Sequence, residues 1–178
     1  MDANDIMRRM AHNNAWANLR LHRAIGTLSD ADYRAPRTSF FPSLHLTLSH
    51  ILFVDLFYVS ALEGTATTAV WDELERFERD GTFAELRDRQ RDVDRRLIAA
   101  TEGDLDGPVQ MPRGTHIQTD RRGAVLLHLL QHQIHHRGQA HAMLSGTAVK
   151  PPQLDEFFLA DELPLREGEL RELGLPVG

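Results

Sequence analysis

The sequence predicts an all-α protein: a four-helix bundle with a long loop between its third and fourth helices and a short C-terminal helix. Three observations predict it. Four long segments carry apolar residues at helical three- and four-residue spacing. No segment alternates apolar and polar residues convincingly over strand length. The intervening loops are long enough for bundle crossovers. The chain has 178 residues, 42% apolar and 26% charged, which suits a single domain over 1–178 with its own core.

The first segment runs from about Asp5 to Leu28, with Ile6, Met10, Trp16, Leu19, Leu21 and Ile25 as apolar positions. Ser29-Asp30 then signals a turn, and Pro36 to Pro42 reads as a loop. The second helix, Ser43 to Glu63, is apolar on most of its surface and stops at Gly64, so it belongs in the middle of the bundle. The third, from about Thr82 to Ala100, carries a narrow stripe of Phe83, Leu86, Gln90, Val93 and Leu97. Between these sit alternating Arg and Asp residues, including Arg87, Asp88, Asp94 and Arg96, with Glu85–Arg89 and Asp92–Arg96 spaced as i,i+4 pairs. Because acids interleave the bases, this run reads as a solvated outer face rather than a polyanion site. Gly103 to Asp120 is irregular, with room for a short extended piece. The fourth helix spans about Gly123 to Leu144 and stops at Gly146. Pro151-Pro152 breaks the chain, and Leu154 to Leu163 is the candidate closing helix.

Twenty Lys and Arg against twenty-six Asp and Glu give a net charge of -6, which speaks against a general nucleic-acid binder. The absence of cysteine excludes disulfides, thiolate metal sites and a Cys nucleophile. The acidic N-terminus lacks an apolar core for a signal peptide. The longest apolar runs, such as Ile51-Leu52-Phe53-Val54, hold only four residues against the ~20 of a membrane span. A soluble, cytoplasmic protein that binds neither membrane nor nucleic acid is expected. A homodimer would cover any face left bare by the apolar second helix and the narrow third-helix stripe.

Of ten histidines, five (His128, His132, His135, His136 and His141) fall within fourteen residues. On a helix His132 and His136 lie about 40° apart, one turn from each other, as two imidazoles must to meet one metal ion. Gln133-Ile134-His135 stand between them, so the glutamate of the H-E-x-x-H metalloproteases is missing. His128 lies one turn further back, Gln139 is close in angle, and His135 is offset. His50 is the best third candidate, on the second-helix face of Leu46, Thr47, Val54, Phe57 and Ala61. A buried unpaired polar group there costs about 1–3 kcal/mol, so His50 must hydrogen-bond or bind a metal. Spacing alone favours the hydrogen-bonded core histidine. His45, about 140° around the same helix, is its competitor. His12, His22 and His116 read as surface or structural residues. No Glu-x-x-His, Gly-x-Ser-x-Gly or phosphate loop is present, and nothing nominates a nucleophile.

Four motifs in order resemble the DinB/YfiT-like family of metal-dependent four-helix proteins over nearly the whole chain. Asn14-Ala15-Trp16-Ala17-Asn18 resembles its N-x-W-A-N. Ser43 to His50, with Asp55 following, resembles its S-x-x-x-T-L-x-H. His132-Gln133-Ile134-His135-His136-Arg137-Gly138-Gln139 is similar to its H-x-x-H-H-R-G-Q, and Pro151 to Asp155 with Phe157-Phe158 to its closing segment. Asn13 departs from the family, which often has an aromatic residue there. The resemblance implies a metal held by His50, His132 and His136, and demotes His45, His128 and His135. It also implies an enzyme acting on a small-molecule substrate with a low-molecular-weight thiol cosubstrate, as an S-transferase or isomerase, or a hydrolase activating water. The alternative is a non-catalytic metal-binding stress protein. Three neutral nitrogens suit zinc or nickel first, with iron, manganese and cobalt also compatible, and leave positions open for substrate. Gln139 and Thr47 are candidates to line such a site.

Overall fold

The computed structural model describes residues 1–177. Its elements are α1 (Ala3–Ile25), α2 (Asp30–Arg34), α3 (Leu44–Leu62), α4 (Ala69–Asp80), α5 (Phe83–Ala100), β1 (Pro108–Pro112), β2 (Ile117–Arg121), α6 (Arg122–Leu144) and α7 (Leu163–Leu173). A single 3-10 turn over Ala160–Glu162 precedes α7. The four long helices α1, α3, α5 and α6 are the expected bundle, with α3 packed against α4, α5 and α6, and α1 against α5 and α6.

Local chemistry sets the helix ends. Asp2, Ser29 and Ser43 cap α1, α2 and α3 through their side chains, and Thr82 with Glu85 forms a reciprocal capping box on α5. Gly64 follows α3 at φ +78°, where a side chain would be strained. By length and composition α3 is apolar enough to cross a membrane, but 72% of that stretch is buried inside the bundle, around Phe53 and Phe57. Its lack of a polar face is that of a central helix.

Several boundaries and elements differ from expectation. The first helix stops at Ile25 rather than Leu28, because Gly26 caps it and the Ser29 turn opens the short α2. A helix, α4, fills the stretch between Gly64 and Thr82, with Val70, Trp71, Leu74 and Phe77 against the core. The irregular stretch before α6 holds an antiparallel hairpin, Pro108 pairing with Arg121 and Pro112 with Ile117, whose Val109 and Met111 are buried. The closing helix begins where it was expected to end. Residues 154–158 are non-helical and send Phe157 against Trp16, while α7 starts with Pro164 in its first turn.

Two expected charge roles also change. Glu85 turns to the capping box and Arg89 pairs with Glu73 on α4, so the Glu85–Arg89 pair does not form. Asp94, expected on the outer face, is buried and bonded to Asn14, Asn18 and Gln90.

Candidate metal centre

His50 projects from the middle of α3, and His132 and His136 from successive turns of α6. Tyr58 meets His128 while His50 meets His132 and His136, so the two helices run antiparallel with these rings facing one another. One ring nitrogen from each of His50, His132 and His136 lies within 4.8 Å of the others. His50 Nε2 and His132 Nε2 are 2.9 Å apart. Ligands around a tetrahedral zinc ion at 2.0–2.1 Å stand about 3.3 Å from one another, so the His50–His132 pair is already near that spacing and the His136 nitrogen lies close enough to join a shared divalent cation.

Protonation supports the same fit. Burial pushes His50 down to about 4 and His132 down to about 3, reinforced in both by neighbouring histidines, and it lowers His136 as well. All three rings are therefore neutral near pH 7, with lone pairs free for a cation. His136 Nδ1 donates to Gln139 Oε1 at 2.8 Å, which fixes the tautomer and leaves Nε2 facing the cluster. Gln139 Nε2 in turn meets His135 Nε2 at 3.2 Å, so its amide is held from both ends. His132 Nδ1 is buried with no partner among the described residues.

The sequence-predicted residues separate cleanly. His50, His132 and His136 come together. His45 is buried elsewhere, its Nε2 donating to the Glu78 carbonyl at 2.9 Å, so it is a satisfied core histidine. His128 and His135 are exposed, and the His128 ring stands 6.3 Å from that of His132. Gln139 supports the cluster, whereas Thr47 turns away, its hydroxyl donating to the Ser43 carbonyl at 2.8 Å. Sequence reasoning missed Phe41, whose ring lies 4.3 Å from that of His50 and 5.6 Å from that of His136. The adjacent Phe40 is 77% exposed, its ring edge-on to that of Phe41. The Phe-Phe pair just ahead of the second-helix motif was the available signal.

Beneath the cluster, a buried polar network fixes the rotation of α6. Arg137 Nη1 donates to Asn14 Oδ1 at 2.7 Å and to Asn18 Oδ1 at 3.1 Å, and both asparagines donate to Asp94 Oδ1 at 3.0 Å. Gln90 joins Asp94 to Asp55, which also accepts from Gln133. Gln133 and Arg137 each follow a cluster histidine by one residue, so anchoring them inward turns His132 and His136 toward α3. Burial pushes Asp94 up to about 6 and Asp55 well above the carboxylate range, and lowers Arg137 to about 10.

The DinB family model matches residues 1–167, and the chain belongs to the DinB family. No curated protein matches it.

Proposed function

We propose that this DinB-family chain is a metal-dependent enzyme that binds a divalent cation, zinc or nickel in preference, through His50, His132 and His136, and uses it on a small-molecule substrate. The observation that carries the reading is the convergence of three neutral imidazoles with no Asp or Glu in the cluster among the described residues. Such a donor set leaves the ion its full charge and open positions, the pattern of catalytic rather than structural sites. A cation held there favours the deprotonated form of a thiol or water and polarises a carbonyl.

The protein's own residues do the positioning. Gln139 orients His136, the Asn14–Asn18–Arg137 clamp sets the angle of both α6 histidines, and Phe41 covers one side of the cluster. His50 and His132 are only partly buried, so a substrate can reach the cluster from solvent. Family membership and the donor chemistry together support the proposed reaction type: transfer, isomerisation or hydrolysis with an activated low-molecular-weight thiol or water.

The test is a screen of thiols against small electrophiles with protein purified without a nickel column. Turnover is expected to vanish with chelator, return with zinc or nickel, and be absent from a folded His132→Ala variant. Full metal occupancy without turnover across the screen would contradict the enzyme reading and leave a metal-binding protein.

A further inference from the structure

The line of rings between α3 and α6 does not end at the three histidines. Toward the hairpin, the His128 ring lies 6.3 Å from that of His132 and 4.9 Å from that of Tyr58. Tyr58 Oη accepts from Arg113 Nη2 at 3.0 Å. At this point a cavity of about 210 Å³ opens, with Tyr58, Met111, Arg113, Gln118, Asp120 and His128 in its wall. At ~30 Å³ per water it has room for the end of a small organic molecule.

Arg113 is the unusual member. Its Nε donates to Gln118 Oε1 at 2.9 Å, and its guanidinium sits 5.1 Å from the Phe57 ring centre and 5.5 Å from that of Tyr58. Both anchors are neutral, and among the described residues no carboxylate pairs with it. A half-buried guanidinium with its plane fixed and N–H donors to spare is a preorganised receptor for a carboxylate. Asp120 shares the cavity, but Gln118 Nε2 donates to it at 2.5 Å and holds it to the amide side. Its charge offsets that of Arg113, which favours the single charge of one carboxylate group over the doubly charged head of a phosphate.

We propose that Arg113, with Tyr58 and His128 beside it, anchors the carboxylate of a substrate whose reacting end lies at His50, His132 and His136. The second half of this statement rests on the proposed function. The receptor itself is built by the hairpin and α3, and needs no ion.

The test is calorimetric titration of the full chain, as purified and after chelation, with glutarate, glutaramide and inorganic phosphate. The Arg113 Nε–H signal is followed by NMR in the chelated sample. Glutarate is expected to bind saturably in both samples and to shift that signal. Glutaramide should not bind, and phosphate should bind more weakly than glutarate. Arg113→Gln should weaken glutarate at least tenfold with unchanged helicity, and Asp120→Asn should tighten it severalfold, which a merely structural role would not produce. Absence of saturable glutarate binding, equal binding of glutaramide, tighter binding of phosphate, or an affinity unchanged in Arg113→Gln would overturn the proposal. Because the chelated sample is included, failure of the metal reading and failure of this subsite register separately.

Discussion

Gln139 shows how a single side chain sets the chemistry of its neighbour. An imidazole offers a cation only one lone pair, and which nitrogen carries it depends on where the other nitrogen's proton is held. Accepting from His136 Nδ1, Gln139 directs Nε2 to the cluster. Gln139→Leu is therefore expected to weaken metal binding about 10–100-fold while leaving the helical content unchanged, as titration against a competing chelator would show. An unchanged affinity would mean that packing alone orients the ring. The sequence made His132 and His136 legible because four-residue spacing on a helix fixes their relation. It made His50 legible because an imidazole on an apolar helix demands a partner. It could not separate Gln139 from Thr47, because a threonine hydroxyl can bond back to its own helix, as Thr47 does to Ser43. Phe41 was hidden for a different reason: a loop residue has no periodicity to say which way it points.

At the level of elements, the four long helices were readable because their apolar spacing and stop signals agree. α4 was overlooked although Val70, Trp71, Leu74 and Phe77 keep helical spacing, since polar residues crowd its 12 positions and only Phe77 is fully buried. α7 was displaced because, beside the burial of Leu170 with Trp16 and Phe157, much of what holds it is polar. Glu169 accepts from Trp16 Nε1 at 2.6 Å and from Arg20 Nε at 2.8 Å, and Glu172 bridges Arg23 and Arg91. An apolar pattern does not register such contacts. The same holds for the network joining α1, α5 and α6 at Asp94, which the alternating charges of α5 disguised as surface. That network has a pH signature. The Asp94 carboxyl titrates near 6 in the fold against an ordinary 3.8, so between those values the folded chain keeps a proton the unfolded chain has lost. The stabilisation is fully present below the ordinary value and is lost as pH rises through about 6, on the order of 3 kcal/mol in all. Asp94→Asn removes this dependence. The Tm of the variant minus that of the wild type is expected to climb between pH 4 and 6 and level off above. A difference that stays flat across that range would contradict a buried, proton-holding Asp94.

Across the whole molecule, the contact between α3 and α6 gathers side chains far apart in sequence, and the bundle around it decides what they meet. The inward face of α6 is clamped to Asn14 and Asn18 of α1 and to Asp55 of α3, which leaves His132 and His136 turned to His50. The net charge of -6 does not extend into the cluster, whose three members are neutral near pH 7. The most direct measurement of the central claim is anomalous diffraction at a metal absorption edge from crystals of protein purified without a nickel column. One peak per chain is expected, about 2.0–2.1 Å from the Nε2 atoms of His50, His132 and His136, and absent from His50→Ala crystals. A peak held by other residues, or one that persists undiminished in that variant, would contradict the account.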